Sequence, residues 1–165
     1  MKKTREHLPI FGIGPFLVFP MTGVTIAAII LSAKGIIPFT IQGKLVPIIL
    51  LIVGILLIIE GIACFIGANF GHLVKCIKSN TLKTTGSYAF VRNPCYAMFL
   101  LGCTGAILIA HNPVLLILPI LYWLELTIVL SNTEEKWLEG VYGQEYLDYK
   151  KRVNRCIPWF PRKRG

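Results

Sequence analysis

Four runs of apolar residues divide the chain. They extend from about Ile10 to Ala33, Leu45 to Ala68, Cys95 to Ala110 and Pro113 to Leu130. A helix that crosses a bilayer needs about 20 apolar residues at a rise of about 1.5 Å each. The first two runs meet that standard with almost no charge. The third is short for a full span, so it either tilts little or sits as one half of a deep hairpin. His111-Asn112-Pro113 makes its turn: Asn112 is placed to cap the following helix, and Pro113 suits a first helical turn. Pro119 is expected to kink the fourth helix. Beyond Thr133 the pattern changes. Leu138, Tyr142, Tyr146, Tyr149 and Val153 recur at steps of three and four, the period of an amphipathic helix, with an interruption at Gly143. The expected fold is all-α: an integral membrane bundle of about four transmembrane helices with a C-terminal amphipathic interfacial helix. Residues 1–68 form an N-terminal helix pair, and residues 69–165 form a second half made of a loop, a hairpin and the terminal helix.

Composition supports the membrane reading. Hydrophobic residues make up 55% of the 165 and charged residues 15%, against about 25% charged in a soluble domain. The first run is too long for a signal-peptide core, and no Ala-x-Ala-like site follows it, so it reads as a span. The net charge of +9 raises the question of nucleic acid, and its placement answers it. Lys2, Lys3 and Arg5 precede the first run, Lys75 to Arg92 lie between the second and third, and Lys136 to Arg164 follow the fourth. Of seventeen basic residues only Lys34 and Lys44 fall on the other side. This is the positive-inside pattern, with both termini cytoplasmic. The expected partners of the basic tail are anionic membrane lipids, not nucleic acid. The five cysteines include no C-x-x-C pair and no His at metal-ligand spacing, so neither a disulfide framework nor a metal site is expected.

Two rows of small residues, Gly102-Ala106-Ala110 and Ala63-Gly67-Gly71, are spaced for close helix packing. Two acids, Glu60 and Glu125, lie in apolar runs, where a carboxyl serves either a helix–helix hydrogen bond or a function.

The polar loop from Asn69 to Asn93 leads into the third run. Asn93 has the chemistry of an N-cap and Pro94 that of a first helical residue. The free N–H groups there, with Arg92 beside them, make an anion site possible. Taken alone the same residues describe an ordinary helix start. Glu134-Glu135, where the fourth run ends, offers carboxylates to a cation, or simply favours a helix dipole. The two places together are compatible with a ligand that is negative at one end and positive at the other.

Gly86-Ser87-Tyr88 and Val91-Arg92-Asn93-Pro94-Cys95-Tyr96 resemble the Gly-x-Tyr-x-x-x-Arg-His-Pro-x-Tyr motif of the isoprenylcysteine carboxyl methyltransferase family. Glu134-Glu135, the run from Tyr142-Gly143-Gln144-Glu145-Tyr146 to Val153, and Pro158 resemble its acidic pair, Phe-Gly-x-Glu-Tyr block and terminal proline. The likeness extends from about Asn69 to Pro158, and the wider relatives include phospholipid N-methyltransferases. It implies an S-adenosylmethionine pocket on the cytoplasmic side, reached laterally by a lipophilic acceptor (a prenylated cysteine or a lipid), in a compact protein of the prokaryotic inner membrane. Carried over by position, Tyr88, Asn93, Pro94, Cys95, Tyr96 and Glu134 bind the cofactor. Lys75, Asn80, Thr81, Leu82 and Lys83 are further positions, and Arg92 and Glu134 act at the reaction. Two positions depart from the pattern. Asn93 stands where His is common, which keeps hydrogen bonding but removes a titratable group. Leu130 stands at the substrate position where the family often has Arg, and leucine cannot neutralise a substrate carboxylate. A phospholipid amine acceptor is therefore an alternative, and a non-enzymatic transporter or assembly role built on Glu60 and Glu125 is the alternative of another class.

Overall fold

The computed structural model describes residues 13–162; Lys2, Lys3, Arg5, Lys163 and Arg164 of the charge pattern, and the start of the first run, lie outside them. Among the described residues seven α-helices follow one another: α1 (Gly14–Ala33), α2 (Leu45–Gly67), α3 (Phe70–Lys78), α4 (Pro94–Ile109), α5 (Ile117–Asn132), α6 (Glu134–Tyr142) and α7 (Gln144–Arg152). Short 3-10 turns at Gly86–Ala89 and Pro113–Leu116 lead into α4 and α5. Among the described residues three stretches are long and apolar enough to cross a membrane: α1, α2 and the continuous run from Pro113 to Tyr142. The apolar part of that run ends at Asn132, and the backbone breaks at Thr133 before the charged α6. The protein is an integral membrane helical bundle, with α4, at 16 residues, as its short member.

The core lies between α1, α4 and α5. Met21, Ile107, Leu126 and Leu130 are almost fully enclosed there. The opposite faces of α1, α2 and α5 expose Phe16, Ile52, Ile59, Ile66 and Ile128, as lipid-facing helices do. The Thr25 and Tyr122 hydroxyls share a hydrogen bond of 3.0 Å between α1 and α5.

The most extensive helix contact is α2 against α4, and glycine makes it possible. A Cβ on Gly54 would lie 2.6 Å from the Gly105 carbonyl oxygen, and one on Gly61 would lie 3.0 Å from that of Met98. The expected rows are therefore corrected in part: Gly67 is closely approached, by Ser87 and Gly86 of the loop rather than by a helix. Gly102 has nothing within 4 Å of its Cβ position, and Gly71 meets only its neighbour Asn69. Gly105, three residues beyond Gly102, turns toward α2 instead. α2 packs mainly on α4, across the boundary expected at residue 68.

Asn112 behaves as its position predicts. Its carboxamide oxygen accepts from the Val114 N–H at 3.0 Å, capping the turn. Its amide donates to Ser32 Oγ at 2.8 Å and to the carbonyls of Ile37 and Pro38 at 3.3 and 3.2 Å. One buried side chain thus ties the 34–44 loop to the hairpin turn. Asn112→Ala is expected to cost about 2 kcal/mol, since it removes a cap and strands buried acceptors. Thermal melting in detergent would read this loss, and Asn112→Asp, which keeps only the cap, should fall between. α5 begins at Ile117, which removes the reason to expect a kink at Pro119. Pro119 sits in its first turn, where a missing N–H leaves no helical bond unmade.

Candidate active site

Helices α6 and α7 meet at Gly143, whose φ of 56° and ψ of −128° glycine adopts at little cost. The break folds α7 back over the loop that precedes α4. Tyr146, Tyr149 and Val153 form a small core with Leu82, Leu138 and Tyr142. The Tyr149 hydroxyl donates to the Tyr88 carbonyl at 2.6 Å, and the Tyr142 hydroxyl to that of Thr81 at 3.4 Å. The aromatic stripe therefore covers protein. The tail then runs beside the entry to α4: the Arg92 and Asn93 amides donate to the carbonyls of Asn154 and Arg155 at 2.8 and 3.0 Å, and the Trp159 amide to that of Phe90 at 3.1 Å.

These contacts bring the start of α4 and the end of α5 together. The Tyr96 hydroxyl donates to Glu134 Oε1 at 2.7 Å. Burial pushes the Glu134 carboxyl above its ordinary range, and hydrogen bonds from Tyr96 and the Ile13 backbone only partly oppose it. Tyr88 lies close by. Burial first, then the proximity of Cys95 and Glu134, raises its hydroxyl above the ordinary value. Tyr88, Cys95, Tyr96 and Glu134 thus converge, with Pro94 buried in the first turn of α4.

Other expected positions have different surroundings. Asn93 occupies the N-cap position without capping: its amide donates to the Arg155 carbonyl at 3.3 Å. The tail has claimed that side chain, and no side chain accepts from the first turn of α4. Arg92, expected as a free charge at this mouth, is enclosed. Its guanidinium donates to Glu135 Oε1 at 2.7 Å and to the Lys150 carbonyl at 3.0 Å. Its charge meets that of Glu135, and its contacts join α6 and α7 to the entry of α4. Lys83 is also buried; its ammonium donates to the carbonyls of Ala68 and, at 2.9 Å, Asn69, where the end of α2 leaves acceptors unmatched. The same ammonium lies 5.2 Å from the centre of the Tyr88 ring. Leu82 belongs to the aromatic cluster, Asn80 takes a left-handed φ of 53° just past α3, and Lys75 is exposed on α3. Leu130 is wholly buried in the main core.

Glu135, expected beside Glu134 as a carboxylate offered to a cationic ligand, instead faces into the protein. It is 1% exposed and meets three cations: Arg92, Arg155 at 2.6 Å and Lys150 at 3.2 Å. Burial alone would raise its carboxyl, but the Arg155 hydrogen bond and the Arg92 charge hold it below the ordinary range. The acidic pair carried a signal for this. Adjacent residues on a helix point about 100° apart, so Glu134 and Glu135 cannot face one ligand together. One faces the Tyr96 mouth and the other faces inward.

The family model for phospholipid methyltransferases matches residues 44–145. Among curated relatives, the protein-S-isoprenylcysteine O-methyltransferase of Rattus norvegicus is 34% identical over 117 residues, which cover 64% of this chain and 40% of the relative. That of Tribolium castaneum is 37% identical over 98 residues, covering 56% of this chain and 34% of the relative. That of Schizosaccharomyces pombe is 34% identical over 97 residues, covering 58% and 41%. The matches thus span about two-fifths or less of these relatives' own length. No solved structure gives a significant match. With the matched region running from the start of α2 into α7 and enclosing the Tyr96–Glu134 mouth, the chain belongs to the phospholipid methyltransferase family and is similar, over part of their length, to protein-S-isoprenylcysteine O-methyltransferases.

Proposed function

We propose that the protein transfers a methyl group from S-adenosylmethionine to a lipophilic acceptor at the membrane face, in the manner of the O-methyltransferases it resembles. The observation that carries this reading is the 2.7 Å contact between Tyr96 at the mouth of α4 and Glu134 beyond the end of α5. It joins an uncapped helix N-terminus, suited to a carboxylate, to a half-buried carboxylate suited to an ammonium or sulfonium. An amino-acid-bearing sulfonium has both complements. When bound, S-adenosylmethionine supplies an electrophilic methyl group that an in-line displacement removes. Such a step needs alignment and exclusion of water more than an acid or base. Tyr88, Cys95 and Tyr96 would shape the wall, and Glu134 would hold the cationic end. Arg92 and Glu135 would keep α4, α6 and α7 in place around them. The O-methylation of a prenylated cysteine is the reading closest to the relatives. A phospholipid amine is a second reading, favoured by Leu130: a wholly buried leucine supplies no positive charge for an acceptor carboxylate.

Calorimetric titration of the detergent-purified protein tests the cofactor. Saturable binding of S-adenosylmethionine is expected, weakened about tenfold by Glu134→Gln, the order of one charge-assisted contact. No binding at millimolar cofactor would end the proposal. Because the Glu134 carboxyl titrates above its ordinary range, it gains a proton as pH falls through that raised value and loses its attraction for a cation. Affinity should therefore decline on acidification from a higher pH than an exposed carboxylate would give. Glu134→Gln should flatten that decline; an unchanged profile in the variant would remove Glu134 from the site.

A further inference from the structure

A cavity lies away from the Tyr96–Glu134 mouth, between α2 and the C-terminal tail. It measures about 430 Å³ and is lined by Glu60, Cys64, Phe90, Pro158, Trp159 and Phe160 among others. Three of these are exposed aromatics, and Phe90 and Phe160 stand edge to face with centroids 6.1 Å apart. Among the described residues Glu60 is the only charged one in the lining. It stands two turns before the end of α2 and has no hydrogen-bond or ion-pair partner among the described residues. An ionised carboxyl facing lipid without a partner is costly, and no cation among the described residues pairs with it.

We propose that this groove binds the ammonium headgroup of a membrane amphiphile. Glu60 supplies the opposite charge, and the faces of Phe90, Trp159 and Phe160 attract the same cation through their ring electrons, as aromatic cages do for quaternary ammonium groups. The amphiphile's chain then lies along the outward face of α2, where Ile59, Ile62 and Ile66 are exposed. Charge decides the occupant: an anionic headgroup would meet Glu60 with repulsion, and a neutral one would leave it unpaired. The site concerns binding, and it stands whether or not the bound amine receives the methyl group.

The test uses the full chain in neutral maltoside micelles and follows tryptophan emission as tetradecyltrimethylammonium is added, with tetradecyl sulfate as the anionic counterpart. A saturable change with the cation alone is expected, absent in Trp159→Phe. Glu60→Gln should weaken the affinity about tenfold, while Glu125→Gln, which removes a carboxyl from another span, should leave it unchanged. Equal responses to both amphiphiles, or unchanged affinity in Glu60→Gln, would overturn the proposal. S-adenosylmethionine binding measured on the same samples is expected to survive Glu60→Gln. Its absence from the wild-type protein would remove the methyltransferase reading and leave this one untouched.

Discussion

Glu135→Ala is expected to destabilise the protein by about 3–5 kcal/mol, the cost of removing one member of a buried ion cluster and stranding the others. Arg92 and Arg155 would lose a shared carboxylate at 2.7 and 2.6 Å, and Lys150 its contact at 3.2 Å. These partners come from the entry to α4, from α7 and from the tail, so the loss falls on the part of the fold that assembles the mouth. The measurement is the melting temperature in detergent together with cofactor affinity. Both should fall in Glu135→Ala. Glu135→Gln, which keeps the shape and some hydrogen bonding but loses the charge, should lie between. A variant that melts like the wild type would show that the cluster is not what holds α6 and α7 in place. The contrast with Glu134→Gln is the informative one: that change should lower affinity with little effect on melting, because Glu134 accepts one hydrogen bond from a side chain and meets no cation among the described residues.

Adding one methyl group at Gly54 is expected to cost about 1–3 kcal/mol, in the range of overpacked cores, and a branched side chain there should prevent α2 from docking on α4. The added carbon would lie 2.6 Å from a backbone oxygen, that of Gly105. Backbone cannot rotate out of the way as a side chain can, so the two helices would have to separate along their most extensive contact. Gly102→Ala is the control. Nothing lies within 4 Å of that Cβ position, so melting should be unchanged, or raised by alanine's helix propensity. If Gly54→Ala and Gly102→Ala melt alike, the close approach of α2 and α4 is not what stabilises the bundle.

These two predictions mark where sequence pattern stops being informative. Both Gly102 and Gly105 sit in one apolar run, and a four-residue spacing singles out Gly102. Which of them meets α2 depends on how α4 is rotated about its axis. That rotation is set by partners distant in the chain, among them Met21, Tyr122 and Leu126 in the core behind it. Likewise, Asn93 followed by Pro94 has the chemistry of a cap, and locally nothing competes. The competitor is the Arg155 carbonyl, 62 residues away. Arg92 beside a helix mouth reads as a free charge until the inward-facing Glu135 is seen to neutralise it.

The sequence by itself determined the membrane character, the four apolar runs, the cap at Asn112, the break at Gly143 and the resemblance that pointed to Tyr96 and Glu134. Each depends on local periodicity, on the chemistry of a few neighbouring residues, or on motif order. Only the tertiary structure decided that Tyr96 and Glu134 touch, that Glu135 turns away from them into a cluster of three cations, and that the tail lies beside the entry to α4. These are pairings between segments far apart in the chain. Which partner a charged or small residue finds there depends on the geometry of the whole bundle, and no spacing along the chain records it.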